Sequence, residues 1–486
     1  MNDSRTFTYQ TRAVTDSCSD LILSDYADLY GQLERKLFQD LRKKRPINEL
    51  KREYIAKHGI TARQFNACKV HVEGKMDSVR KGREENLLKL KEKIASLDKK
   101  LPKIKDKSTK HHKQRKLTSM KLRFQKLQTA HKEDQISLCF GGKTLFHAQF
   151  HLEKNNYSSF SDWKGDWRKA RSSEFFSLGS KDETSGNQSC SLTIQKDQSC
   201  TLRLRLPHSL DKKYGIKYLM LSNIFFNYGH EELLKALQSK QALSYRFKKD
   251  EKGWRVFVSF TQKRAPLVTR PSLGAIGVDI NVNHLAVTEI DAKGNPVNKK
   301  TITLCTYGKT KNQVKALVGD ACKEIVALAK EKQKPILAEK LDFTKKKARL
   351  KEEASCKQAR MLSSFNYSHI LQNLESRAFQ GGIEFYTVPP ALTSVIGRIK
   401  FAKRYGLSVH HAAALCIARR FFKFSEAPSQ CPMKVVYKNI QVTCPLPERN
   451  RRQHVWKFWQ EASKKLKTAL AAHFRNSPDP HCCRSG

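Results

Sequence analysis

The stretch from Ala275 to Val388 constrains the fold most, because its hydrophobic period changes in an order that few architectures share. "AIGVDINVNHLAVTEID" reads as two strands joined by a turn, "AKGN" as a further turn, and "PVNKKTITLC" as the third strand of a meander. A helix is expected from Lys311 to Lys332, then a buried strand in "PILAEKL" and a basic stretch "TKKKARLK". A helix from Ser363 to Gln380, a strand in "GIEFYTV", the loop "PPALTS" and a helix from Ser408 to Phe422 complete the pattern. Three antiparallel strands, a crossover helix, then strand, helix and strand is the order of an RNase H-like α/β domain, placed at residues 272–425.

The rest of the chain makes this one domain of an α+β multidomain protein. "TFTYQTRAV" is a short strand (segment 1–14) that needs a partner elsewhere. Segment 15–132 is a helical lobe, with Leu21, Leu23, Tyr26, Leu29, Tyr30 and Leu33 at helical spacing and a cap expected at Thr61. Segment 133–265 switches to period two in "ISLCFG", "LFHAQFHL", "CSLTIQ", "CTLRLRL" and a hairpin built round Lys252-Gly253, which predicts a small β-barrel or sandwich with Trp163 and Trp167 as core aromatics, a stacking platform being the alternative. "RAPLVTRPS" is a linker. Segment 426–486 is a C-terminal helix and tail, the helix amphipathic through Trp456, Trp459, Leu466, Leu470 and Phe474.

Charge narrows the function. Lys and Arg number 93 against 46 Asp and Glu, a net +47 that repels itself unless a polyanion neutralises it. This disfavours a small-molecule metabolic enzyme and points to nucleic acid, most densely between Lys99 and Lys132. The opening residues lack a secretory h-region, and runs such as "AIGV" are far too short to span a bilayer, so a cytoplasmic protein without a membrane partner is expected. Its 13 cysteines include no C-x-x-C pair, which gives neither a disulfide framework nor a zinc-finger spacing. His481, Cys482 and Cys483 stand together in the tail, where a disordered end is the plainer reading than a metal site.

Phosphodiester hydrolysis in an RNase H-like site needs carboxylates from separate elements to hold two divalent ions about 4 Å apart. Asp279 is the only acid in the first strand, and Glu339 closes the strand after the crossover helix. A buried carboxylate at either place is costly unless paired or metal-bound, so both are candidate catalytic residues and metal ligands. The competing reading is two solvated strand ends.

"GVDINVNHLAV", "AEKLDF" and "FNYSHILQNLESRAFQGGIEFYTVPPALTSVIGRIKFAKRYGLSVHHAAALCIARR" together resemble the RuvC part of TnpB, the RNA-guided protein of insertion sequences related to the type V CRISPR effectors. "FGGKTLFHAQFHL" and "WRKARSSEFFSLGSKDETSGNQSCSL" resemble the wedge and helical regions of the same group. The resemblance implies a recognition lobe at 15–132, a wedge-like domain at 133–265, a guide RNA, target double-stranded DNA, Mg²⁺ at an active site, transposition proteins as partners and a prokaryotic, nucleoid-associated setting. It places Asp279 on the first family acid and Glu339 on the second.

Two departures qualify it. "VIGRIKFAKRYG" stands where the family carries paired C-x-x-C motifs, so no zinc is expected. The third acid would fall at Val409, and "VHHAA" replaces its motif, as in nuclease-defective effectors of CRISPR-associated transposons. His410 or His411 is a candidate replacement, since type II effectors carry a similar His-His-Ala run before an acid that would fall here at Ala414, and imidazole can bind metal or activate water. Asp342 or Glu384 could be a relocated acid. Nucleic-acid contacts are assigned to Lys113, Arg115, Lys116, Lys121, Arg123, Lys345, Lys346, Lys347, Arg398, Lys400, Lys403 and Arg404. Guided cleavage, guided binding without cleavage in repression or transposition, a general RNA-binding role and a DNA-joining transposase are the competing functions.

Overall fold

The computed structural model describes residues 3–181, 186–340, 367–424, 426–427, 433–437, 440–444, 447 and 454–475. It divides into two compact units, Met1–Lys263 and Arg264–Gly486. No helix among the described residues is long and apolar enough to cross a membrane.

The first unit opens with strand β1 (Ser4–Arg12) and four helices: α1 (Ser17–Arg42), α2 (Ile47–His58), α3 (Ala62–Lys100) and α4 (Lys107–Lys132). Thr61 caps α3 as expected: its hydroxyl accepts from the Gln64 amide at 3.2 Å, and the Gln64 side chain accepts from the Thr61 amide at 2.9 Å. Helices α5 (Lys143–Ala148) and α6 (Phe160–Arg171) come next, followed by strands β2 (Glu174–Ser177), β3 (Cys190–Ile194) and β4 (Cys200–Arg205). Helix α7 (His208–Tyr214), strand β5 (Tyr218–Ile224), helix α8 (His230–Gln238) and strands β6 (Ser244–Asp250) and β7 (Gly253–Lys263) finish the unit.

Three expectations are corrected here. "ISLCFG" forms no strand. "LFHAQFHL" is not a strand, because Phe146 and Phe150 also satisfy helical spacing, and Trp163 fixes the helical choice by donating its indole N–H to the Leu145 carbonyl at 2.8 Å. The barrel is not closed either. The strands form two open antiparallel sheets, β1-β7-β6-β2 and β3-β4-β5, whose inner faces share one core with α1, α2 and α3. Within it Phe175 stacks on Tyr26 at 4.3 Å and on Phe247 at 4.5 Å. Strand β1 finds its partner in β7, and the hairpin turns at Gly253, whose φ of +97° suits glycine. Trp163 is buried, as expected of a core residue, but on α6 beside Trp167 rather than in a sheet.

The second unit contains β8 (Ala275–Ile280), β9 (His284–Ile290) and β10 (Pro296–Thr303), then α9 (Lys311–Lys332) and β11 (Ile336–Glu339). After α10 (Tyr367–Gly381) and β12 (Phe385–Val388), a short helix α11 (Thr393–Ile396) runs into a π-helical turn, Gly397–Ala402, and then α12 (Val409–Phe421). A hairpin of β13 (Met433–Tyr437) and β14 (Ile440–Cys444), which period analysis missed, precedes α13 (Val455–Arg475). The main sheet has the order β10-β9-β8-β11-β12, antiparallel through β8 and parallel beyond it, the RNase H-like arrangement expected from the sequence.

Alternation along β8 and β11 sends Ile276, Val278 and Ile336 into a core with α9 and α10, and Ala275 and Leu337 into a second core with α12 and α13. Helix α12 lies directly on β8 because Gly277 has no side chain: a Cβ there would meet the Ala414 carbonyl oxygen at 2.0 Å. Gly277→Ala should therefore push α12 off the sheet and cost about 1–3 kcal/mol, read as a lowered urea midpoint at unchanged m-value. Trp459 and Leu466 are buried against this layer and Trp456 is 38% exposed, while the side chains of Leu470 and Phe474 lie outside the described residues.

Candidate functional site

The two-residue period that buries Gly277 under α12 also turns Asp279 to that face, and it does the same for Glu339 on β11. Parallel pairing of Leu337 with Gly277 and Ala338 with Val278 then brings the two residues to the carboxyl ends of neighbouring strands. In an open α/β sheet this end is where chemistry is placed. Both acids are shielded: the Asp279 side chain is 13% exposed and Glu339 8%.

Helix α12 supplies the third element. Ser408 caps it, accepting from the His411 amide at 3.2 Å, and this start point decides which way each histidine faces. His410 turns to the acids, with Nδ1 3.3 Å from Asp279 Oδ2 and half its side chain still exposed. His411 turns away: Nδ1 meets Ser408 Oγ at 2.8 Å, and Nε2 lies 3.1 Å from Thr301 Oγ1 and 3.2 Å from the Lys300 carbonyl. Burial holds the His411 imidazole below its usual pKa. It braces α12 against β10 and does not join the carboxylates.

Two residues that sequence reasoning passed over complete the cluster. Asn281 donates its amide N–H to Asp279 Oδ2 at 3.0 Å, and the same nitrogen lies 3.4 Å from His284 Nε2. The His284 ring meets the His410 ring edge-on, centroids 4.8 Å apart, and burial together with the neighbouring His410 lowers its pKa. The signal was there in "DINVNH", where Asn281 opens the turn after β8 and His284 begins β9, both within five residues of Asp279. Glu339 is fixed differently: the Thr393 hydroxyl donates to Oε1, and the Tyr367 hydroxyl donates to its backbone carbonyl.

Glu384 does not reach this cluster. It precedes β12 at the opposite end of the sheet, where it accepts from Thr269 at 2.9 Å and from Tyr386 at 2.7 Å. Asp342, Lys345, Lys346, Lys347, His481, Cys482 and Cys483 lie outside the described residues. Ligand number tests the metal expectation. Asp279 Oδ2 is bound by Asn281 and His410, Glu339 Oε1 by Thr393, and among the described residues no three His, Cys, Asp or Glu side chains converge closely enough to hold an ion. The described residues therefore do not fit a two-ion centre.

The basic candidates divide as well. Arg115, Lys116, Lys121 and Arg123 are exposed on α4 and Lys113 is half-buried there. In the second unit Lys403 and Arg404 are exposed and Arg398 half-buried. Lys400 is a correction to the sequence reading, since its side chain is only 14% exposed and its ammonium donates to Glu426 at 2.7 Å. A cation held inward by a carboxylate is not presented to phosphate.

No protein-family model matches the chain, and no curated protein matches it. Among solved structures it is similar to a Cas12f1–sgRNA–target DNA complex, at 12% identity and a TM-score of 0.37, covering 86% of this chain and 99% of that one. It is also similar to a Cas12i1 R-loop complex after target DNA cleavage (8% identity, TM-score 0.29, 65% and 52%). A third likeness is to T. thermophilus RuvC bound to a Holliday junction substrate (14% identity, TM-score 0.22, 30% and 90%).

Proposed function

We propose that this chain is an RNA-guided DNA-targeting protein that binds a guide RNA and the double-stranded DNA it matches, and that holds its target rather than cutting it. The charge of +47 and the acid-free basic helix α4 support the nucleic-acid partner, the RNase H-like sheet supports the fold, and the resemblance of "GVDINVNHLAV" and "AEKLDF" to TnpB supports the guide. Association with insertion sequences and transposition proteins rests on that resemblance alone.

The observation that carries the choice of binding over cutting is His410. It stands 3.3 Å from Asp279 on a helix, α12, that carries no carboxylate, whereas a cleaving site needs a further one from an element beside the strand acids. A guided nuclease is the second reading, favoured by one feature: Asp279 and Glu339 remain paired on neighbouring parallel strands beside an imidazole able to accept a proton from water.

The test is to purify the full chain with RNA transcribed from beside its gene and challenge it with matched and unmatched plasmid in Mg²⁺. Expected are co-purified RNA, retention of matched plasmid only, and no nicking, with Asp279→Ala and His410→Ala retaining the plasmid equally. Absence of both RNA and guided retention would sink the proposal. Matched cleavage abolished by Asp279→Ala would establish the second reading.

A further inference from the structure

We infer that Arg420, Thr393, Asn281 and His410 stand in for divalent ions at the two strand acids, so that the second unit neither takes up ions there nor needs them to fold. In an ion centre the metal charge neutralises the carboxylates, and two shielded acids left without any partner would be costly. Here each acid meets groups of the chain itself. An ion approaching Asp279 Oδ2 would have to displace the Asn281 amide at 3.0 Å and the His410 imidazole at 3.3 Å. At Glu339 Oε1 it would have to displace the hydroxyl of Thr393, a residue only 1% exposed.

Charge is supplied by Arg420. Half-buried in the last turn of α12, it donates from Nη1 to the Pro389 carbonyl and from Nη2 to the Ala391 carbonyl, the second at 2.8 Å. Burial lowers its pKa, and Cys416, Glu339 and Glu426 oppose that shift, which puts the guanidinium within the field of the Glu339 carboxylate. Its two hydrogen bonds also fasten the loop that delivers Thr393. Leu392 in that loop has φ +65°, a left-handed conformation that a leucine keeps only where its surroundings over-determine it. Strain held at the residue before the Glu339 donor is a mark of a constructed contact, which a solvated strand end would not need. Arg420 is thus the resident cation for Glu339 and a positioning residue for Thr393.

The full chain freed of nucleic acid and held at one ionic strength tests this. Urea midpoints of its tryptophan fluorescence should agree in EDTA and in about 5 mM Mg²⁺, since only a ligand that binds the native state moves them. Mn²⁺ titrations followed by the paramagnetic resonance of the free ion should coincide for the parent and Asp279→Asn. Arg420→Gln and Glu339→Gln should each lower the midpoint, and the double variant should lose less than the sum, because the second change removes a charge whose partner has already gone. A midpoint raised by Mg²⁺, strictly additive losses, or a Mn²⁺ site tighter than about 1 mM that Asp279→Asn removes would each overturn the inference. The inference rests on the geometry of the cluster and not on a guide, so loss of guided plasmid retention would count against the proposed function alone.

Discussion

Changing Lys113, Arg115, Lys116, Lys121 and Arg123 together to glutamine should weaken RNA binding on the order of a thousand-fold at 0.1 M salt and reduce the slope of log K against log salt by about 3.5 to 4.5. The expectation follows from how α4 is built. It has 26 residues, no acid and no buried residue, so it spans about 39 Å at 1.5 Å per residue. Its hold on α3 comes from half-buried Leu117, Met120, Phe124 and Leu127, spaced to lie on one face. The remaining surface is cationic, and among the described residues the one ion pair of these five, Lys121 with Asp98 at 3.5 Å, is exposed and weak. Glutamine retains helix propensity, so circular dichroism should show the helix intact while affinity falls. Loss of helix in step with affinity, or a slope within one of the parent's, would show that α4 contributes shape and not counterion release.

How much of this could be read from the chain depends on the range over which each interaction acts. The sheet order, α9 and the cap at Thr61 were legible because period and capping chemistry are local, and the same period put Asp279 and Glu339 on one face. His410 and His411 could not be told apart, since adjacent helical residues differ by about 100° and only the start of α12 at Ser408 decides which one meets the acids. "LFHAQFHL" failed for the complementary reason: aromatics four apart satisfy both periods, and the deciding hydrogen bond comes from Trp163. The inward turn of Lys400 depends on an acid 26 residues away, and nothing in the intervening segment announces it.

That acid carries the second large effect. Glu426→Gln should destabilise the second unit by about 3–5 kcal/mol, read as a fall in the urea midpoint of the tryptophan fluorescence transition. Glu426 takes the Lys400 ammonium and the Arg419 guanidinium, each at 2.7 Å, and all three side chains are only 12–14% exposed. Removing the carboxylate charge leaves two cations shielded from water beside each other with no counter-charge, a larger penalty than losing an exposed pair. The damage reaches the candidate site through geometry. Arg419 lies on α12, Lys400 on the π-helical turn, and the Glu426 carbonyl accepts from the Trp459 indole of α13 at 2.9 Å, so one residue ties three elements of the layer that presents His410 to Asp279. Replacing the whole triad with Met at 400, Met at 419 and Leu at 426 should recover much of the loss, because the burial penalty goes with the charges. If Glu426→Gln melts like the parent, the triad is solvated and α12 is held by its alanine face on Gly277 alone; if the apolar triad is as weak as Glu426→Gln, the anchoring depends on hydrogen bonds such as the one from Arg419 to the Gly294 carbonyl at 2.7 Å.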